Sequence, residues 1–248
     1  VVITCASASK QAVLDIRNEL SLAKQRQVEG GVNLVMDSFQ FVGFDTETRP
    51  SFEKGSQGNP TALLQIATFT TAYLFRLKWE GRDKKDHPMT ESLRCLLSDP
   101  TIIKIGSGIH EDVKALNRKY GDKCCGDGSS YLDLLPLARN RWPKLARCGL
   151  RNLTATVLYH NLCKKQQMAN WEKEVMTNPM IEYAAADSFV ALDLLAAIVV
   201  QFDGYFITIE KDDAVTDDEK KCDDPRHDER ILDCESLSEK KYSAELIL

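Results

Sequence analysis

The chain lacks the features of membrane-spanning and disulfide-stabilised proteins. No run of 18 or more apolar residues occurs among its 248 residues, so the sequence predicts no span across a membrane. The eight cysteines show no framework spacing and no Cys-x-x-Cys pair, which is typical of reduced intracellular thiols. A zinc site stays an alternative without a supporting pattern; its ligands would be Cys124, Cys125, Cys148, Cys163 and His160.

The chain also has no internal repeat and no arginine-rich amphipathic segment of the kind that directs proteins to mitochondria. Such a segment can be removed after import, so its absence leaves the mitochondrion open. We therefore expect an intracellular protein of the nucleus, the mitochondrion or the cytoplasm. The sequence does not distinguish among these compartments.

Acidic charge is concentrated at the C-terminal end of the chain. Residues 210–248 hold 14 acidic and seven basic side chains, which leaves 23 acidic and 25 basic ones in residues 1–209. The mildly basic body is compatible with a phosphate backbone as substrate. The tail lacks sustained hydrophobic periodicity, so we expect it to be flexible. We therefore predict one domain at 1–209, with enough apolar residues for a full core, and an acidic tail at 210–248.

Two carboxylates follow the most informative apolar run of the chain. Residues 41–44 form that run, and Asp45 and Glu47 come directly after it, one residue apart. On a β-strand the side chains of such a pair point the same way. Like charges this close repel each other unless a cation lies between them, and oxygen ligands suit Mg²⁺ or Mn²⁺. The pair alone also fits a solvated strand end.

Two later segments supply partners for this pair. A predicted strand at 101–106 leads into a helix that carries Asp112. Tyr183 and Asp187 are four residues apart within a helical pattern, so they share one helical face. One phenol and four acids from a strand end and two helices predict a metal-centred hydrolytic site.

In these residues the chain resembles the 3′–5′ exonucleases of the DEDD superfamily, and in particular the DEDDy type, whose last motif is Tyr-x-x-x-Asp. Asp45 and Glu47 match the first motif, Asp112 the second, and Tyr183 with Asp187 the third. The resemblance covers about residues 1–206. Segments 149–153 and 164–172 resemble the Werner-type exonuclease branch, except that alanine occupies position 169, where that branch has serine.

The resemblance implies an α/β protein with a ribonuclease-H-like fold, whose mixed sheet combines an antiparallel meander with parallel strands and is flanked by helices. Hydrophobic periodicity predicts strands at 1–6, 39–45, 62–68, 72–77, 102–105 and 129–132. It predicts helices at 10–23, 91–97, 111–120, 134–139, 150–158 and 180–200. A turn near 70–71 is expected to join the third and fourth strands.

The resemblance also implies a two-metal mechanism. Two ions, Mg²⁺ or Mn²⁺, held roughly 4 Å apart would activate water and stabilise the leaving 3′ oxygen. Asp45, Glu47, Asp112 and Asp187 would hold the ions, and Tyr183 would orient the water, since a phenol with a pKa near ~10 is a poor base. The product would be a nucleoside 5′-monophosphate released from the 3′ end of RNA or DNA.

Five neighbouring residues are candidates for contact with the nucleic acid, and each has a structural alternative. Thr46 would lend a backbone contact to the terminal nucleotide or be a simple strand residue, and Leu64 would wedge the terminal base or lie in the core. His110 would bind phosphate or metal, or simply begin a helix. Lys164 would contact phosphate or be solvated, and Trp171 would stack on a base or anchor a loop.

Other function classes stay open. A catalytically silent exonuclease-like scaffold that binds RNA or protein partners would be expected to lack motif acids, and this chain keeps all four acids and the tyrosine. An endonuclease or a transferase on the same fold is less compatible with the Tyr-x-x-x-Asp spacing. The residues do not distinguish RNA from DNA. Targeting to particular ends would need a protein partner, a homo-oligomer or further sequence.

Overall fold

The computed structural model describes residues 1–29, 40–51, 59–81, 86–142 and 149–201. Within these ranges one sheet contains the strands β1 (Val2–Ile3), β2 (Gln40–Thr48), β3 (Thr61–Ala67), β4 (Ala72–Arg76), β5 (Ile102–Gly106) and β6 (Tyr131–Asp133). The helices are α1 (Ala6–Glu29), α2 (Glu91–Ser98), α3 (Ile109–Tyr120), α4 (Leu134–Arg141), α5 (Leu150–Val157) and α6 (Asn178–Gln201). The predicted tail at 210–248 lies outside the described residues, so the domain division stays a prediction.

The sheet is mixed, as predicted. Its strand order is β1-β4-β3-β2-β5-β6. The strands β2, β3 and β4 form an antiparallel meander, whereas β1 pairs in parallel with β4, and β5 pairs in parallel with β2 and β6. The turn between β3 and β4 is closed by the Thr68 N–H, which donates to the Thr71 carbonyl at 3.0 Å. This is the turn expected near 70–71.

Each face of the sheet is covered by its own set of helices. Val42, Phe44 and Leu64 point to one side, where they share a buried core with residues of α1, α2 and α3. Ala67 and Ile105 point to the opposite side, where they pack against α4, α5 and α6. We call these sides the α1 face and the α6 face. Because side chains alternate along a strand, every residue of β2 and β3 belongs to one face or the other.

Most predicted elements are present, with changed ends. The helix predicted at 10–23 is the middle of α1, and because α1 already begins at Ala6, the first strand is shorter than predicted. The strand predicted to end at Asp45 continues to Thr48, since Thr46 still pairs with Leu64 of β3. The strand predicted at 129–132 is displaced: residues 128–130 form a 3₁₀ turn, and β6 begins only at Tyr131.

No helix of the described residues is both long enough and apolar enough to cross a membrane.

Candidate active site

Three carboxylates meet on the α6 face. Asp45 and Glu47 come from the last part of β2, and Asp187 comes from α6. Their carboxylate oxygens all lie within 4.8 Å of one another, and we call this group the carboxylate cluster. The strand periodicity correctly predicted that Asp45 and Glu47 point the same way, although both residues are still inside the paired strand.

Glycine at position 43 allows α6 to lie this close to β2. A Cβ atom on Gly43 would lie 1.9 Å from the Ser188 carbonyl oxygen, which is closer than any real contact. Gly43 is two residues before Asp45, and Ser188 directly follows Asp187, so the same close approach brings the two aspartates together. Our sequence-based prediction missed this residue. A glycine inside an apolar strand is the signal, since it often marks a close approach of another backbone.

Burial and mutual repulsion raise the pKa values of the carboxylate cluster. Burial raises the pKa of Glu47 to about 9, and the charges of Asp45 and Asp187 add to this effect. Burial also raises the pKa of Asp45 well above its usual value, with repulsion from Asp112 and Asp187 next in importance. The pKa of Asp187 is raised by burial as well, although Lys164 opposes the shift. A cation within the cluster would favour the ionised forms.

The cluster fits a metal ion. Asp187 is 2% exposed, and its Oδ1 atom has no hydrogen-bond partner among the described residues. A buried carboxylate oxygen without a donor is costly unless a ligand takes it up. Three converging carboxylates offer the hard oxygen ligands that divalent cations such as Mg²⁺ and Mn²⁺ prefer.

Lys164 and Tyr183 border the cluster. The Lys164 ammonium donates to Asp187 Oδ2 at 3.2 Å and to the Tyr183 hydroxyl at 3.3 Å. Burial, with repulsion from Asp187, raises the pKa of the Tyr183 phenol, so this group stays neutral near pH 7. Lys164 is not simply solvated, and its predicted contact with phosphate stays a prediction. Its ammonium binds the carboxylate and the phenol of the site itself.

Asp112 lies beside the cluster but outside it. The Thr46 hydroxyl donates to Asp112 Oδ1. This contact arises because Thr46, between Asp45 and Glu47, points to the α1 face, where α3 packs. Burial raises the pKa of Asp112 to about 6. The structure therefore places Asp112 close enough to repel Asp45, while its role as a metal ligand stays a prediction. The backbone contact predicted for Thr46 also stays a prediction.

Two residues predicted to contact the substrate lie in the core. Leu64 is 0% exposed and belongs to the core of the α1 face. Trp171 is 1% exposed; its ring lies 5.9 Å from the Tyr183 ring, centre to centre, and it packs with Met176. Both side chains are buried in this structure, and their predicted contacts with the nucleic acid stay predictions. The alternatives, core for Leu64 and loop anchor for Trp171, describe the structure.

His110 lies in the first turn of α3. Its Nδ1 is 3.2 Å from Asp133 Oδ2, and the other oxygen of Asp133 accepts from the Gly108 N–H at 2.9 Å. The histidine thus ties the start of α3 to the end of β6, as expected for a helix-start residue. The predicted contact of His110 with nucleic acid stays a prediction.

A groove of about 500 Å³ leads to the carboxylate cluster. Besides the cluster, Tyr183 and Lys164, its lining contains Thr46, Ser107, Leu135, Gly149, Leu150, Arg151, Asn152 and Gln167. Arg151 and Asn152 are exposed in the first turn of α5 and bring a positive charge and an amide to the groove. The sequence prediction gave these two residues no role, because only the fold brings the start of α5 next to β2.

The zinc alternative finds no support in the described residues. Cys124, Cys125 and Cys163 are free thiols there, and Cys148 lies outside the described ranges. The group of potential metal ligands that the structure brings together contains only carboxylates.

Comparisons with known proteins point in the same direction as this geometry. Residues 28–203 match a family described as 3′–5′ exonuclease. A 3′–5′ exonuclease of Arabidopsis thaliana is 30% identical over 157 residues, which are 62% of this chain and 51% of that protein. The human exonuclease 3′–5′ domain-containing protein 2 is 32% identical over 177 residues, with 69% of this chain and 27% of that protein covered. The chain thus spans about half the length of the first relative and less of the second.

Among solved structures, the chain is similar to Trypanosoma brucei RNase D in complex with RNA U12. The TM-score is 0.58 at 19% identity, and the match covers 80% of this chain and 62% of that one. At this identity the likeness concerns the fold. It confirms the predicted mixed sheet with helices on both faces.

Proposed function

Because the chain belongs to the 3′–5′ exonuclease domain family of the DEDD superfamily, we propose that it removes nucleotides from the 3′ end of RNA or DNA. The observation that carries this proposal is the carboxylate cluster with the Tyr183 hydroxyl at the end of an open groove. The expected reaction is phosphodiester hydrolysis that releases nucleoside 5′-monophosphates.

Asp45, Glu47 and Asp187 would hold the metal, which we propose is Mg²⁺ or Mn²⁺ and which would supply an activated water and charge neutralisation at the phosphate. The neutral Tyr183 hydroxyl can both donate and accept, so it can orient a water next to the cluster. Lys164 donates to both Tyr183 and Asp187, and therefore fixes the position of the phenol relative to the carboxylate.

Nucleic acid as substrate is supported by the charges along the groove. Arg151 is exposed there, and the guanidinium group suits phosphate because its donors match the phosphate oxygens. The similar RNase D of Trypanosoma brucei is in complex with RNA U12, which supports RNA as a ligand. The protein partner or homo-oligomer expected for targeting stays a prediction, as does the intracellular compartment.

The test is a gel assay with matched 5′-labelled single-stranded RNA and DNA, in Mg²⁺ or in Mn²⁺. We expect a ladder that shortens from the 3′ end, and no ladder with the Asp45→Ala variant, whose fold should be intact by circular dichroism. The sugar preference is read from the same gel. An internally labelled circular strand should survive, since an exonuclease needs an end.

Two results would contradict the proposal. Cleavage of the circular strand would indicate an endonuclease, and substantial turnover by Asp45→Ala would refute the assignment of the site. If neither metal supports cleavage of either substrate, the scaffold alternative becomes the better account.

A further inference from the structure

Gln65 lies in the middle of the sheet, on the same face as the carboxylate cluster. It pairs with Asp45 across β2 and β3 and with Leu74 across β3 and β4. Residues opposite each other on antiparallel strands share a face, so its side chain points to the α6 face together with Asp45 and Glu47. The residue is 0% exposed and therefore cannot reach a nucleic acid in the groove.

The amide of Gln65 has no hydrogen-bond partner at normal geometry among the described residues. Neither its Nε2 nor its Oε1 atom is satisfied by any residue that the structure describes. A buried amide without partners lowers stability, whereas an apolar side chain of the same length would fill the space without that loss. The packing of the core therefore does not account for a glutamine at this position.

The functional group that the Gln65 amide can serve is the Glu47 carboxylate. Gln65 pairs with Asp45 and Glu47 lies two residues further along β2, so Glu47 is the diagonal neighbour of Gln65 on the same face, within reach of a long side chain. Lys164, the cation of the site, donates to Asp187 and Tyr183 instead. Glu47 itself is 9% exposed, so water has little access to it.

We propose that Gln65 is a positioning residue for Glu47: its Nε2–H donates to the Glu47 carboxylate when that carboxylate binds a divalent ion, and so fixes its orientation as a ligand. This inference rests on the proposed metal-dependent function. In other metal sites, hydrogen-bond donors next to a metal-binding side chain hold that side chain in its orientation, and Gln65 would do the same for Glu47. The amide would thus lack a partner in the metal-free chain, because the Glu47 carboxylate would accept its hydrogen bond only when that carboxylate binds the metal.

The experiment compares Gln65→Met with the unmodified chain, because methionine keeps the length of the side chain and removes the amide. Mn²⁺ affinity is measured by isothermal titration calorimetry on metal-stripped protein, and the melting temperature is measured without metal. We expect the affinity to fall by roughly 10- to 100-fold, the usual effect of losing such a partner. We expect the metal-free melting temperature to be equal or higher, because an unsatisfied amide is gone.

Two further variants make the result specific. Gln11→Met removes an exposed amide on α1, far in the chain from the site, and should leave Mn²⁺ affinity unchanged. In a Glu47→Gln background, Gln65→Met should cause no further loss of affinity, since the two residues act through one contact.

Three outcomes would overturn the proposal: an unchanged affinity in Gln65→Met, an equal loss of affinity in the Glu47→Gln background, or a loss of affinity that only follows a lower metal-free melting temperature. The proposed function is tested separately by Asp45→Ala. If that variant is inactive while Gln65→Met binds Mn²⁺ normally, the inference about Gln65 fails and the proposed function stands.

Discussion

Two glutamates on opposite faces of the sheet differ in what surrounds them. On the α1 face, Glu19 accepts hydrogen bonds from the hydroxyls of Thr68, Thr70 and Tyr73. Although burial alone would raise its pKa, these donors bring the pKa of Glu19 below its usual value. On the α6 face, Glu47 is surrounded by other carboxylates, and its pKa is raised to about 9. The first carboxylate is satisfied by three hydroxyl donors, whereas the second lies among like charges.

The difference indicates that the carboxylate cluster lowers the stability of the fold at the place where the proposed metal would bind. A buried carboxylate oxygen without a donor is unfavourable, and the carboxylate cluster contains such an atom, Asp187 Oδ1, among three like charges. Lys164 offsets part of this repulsion in the metal-free chain through Asp187. The remaining repulsion is what a divalent cation would relieve.

The largest expected effect is that of Asp187→Asn on nuclease activity. We expect kcat to fall by about a thousandfold or more, because a catalytic metal supplies several kcal/mol and each 1.36 kcal/mol is about a factor of ten. The control is Asp193→Asn, an exposed aspartate of the same helix outside the cluster, which should keep its activity. Initial rates on a 5′-labelled strand measure both. Comparable rates for the two variants would contradict the assignment.

An intermediate effect is expected for Lys164→Met on stability without metal. Its ammonium pairs with the nearly buried Asp187, so we expect a loss of about 2 kcal/mol, below the range for fully buried pairs because the Lys164 side chain is 23% exposed. For a domain of this size the melting temperature should fall by roughly 4–8 °C. Mn²⁺ should restore most of the loss. The control is Lys165→Met, at an exposed neighbour, which should leave the melting temperature unchanged. If Mn²⁺ does not restore the stability lost in Lys164→Met, Lys164 serves packing alone.

The most gradual expected effect is a pH dependence of metal-free stability. Because the folded pKa of Glu47, about 9, lies above its unfolded value, the folded chain binds the proton more tightly. Stability should therefore fall as the pH rises from the unfolded pKa towards 9. The melting temperature, measured in a chelator between about pH 6 and pH 9, should show this slope.

Two variants relate this slope to the two glutamates. Glu47→Gln should make it shallower, because one of the titrating groups of the carboxylate cluster is removed. Glu19→Gln should leave it unchanged, since the lowered pKa of Glu19 places its titration below this window. Equal slopes in all three proteins would mean that the carboxylate cluster does not set the pH response.

The sequence predicted the local geometry of the site well. Strand alternation brought Asp45 and Glu47 to one side, and helical spacing brought Tyr183 and Asp187 to one face. These relations span four residues or fewer and follow from backbone geometry alone.

Contacts between distant elements were not predictable in the same way. The contact of Gly43 with Ser188, the burial of Trp171 and the contact of Lys164 with Asp187 depend on how α6 and the segment before it lie on the sheet. The α1-face position of Asp112 follows from the packing of α3, which no short-range pattern reveals. The partnerless amide of Gln65 was equally hidden, since a fully buried strand shows no alternation between its faces.

The most direct test of the account is to locate Mn²⁺ by anomalous scattering in crystals of the chain grown with that ion. The account predicts an anomalous peak bound by the carboxylates of Asp45, Glu47 and Asp187, and its loss in the Asp187→Asn variant. A nuclease-active chain whose anomalous peaks all lie away from these three carboxylates would contradict it.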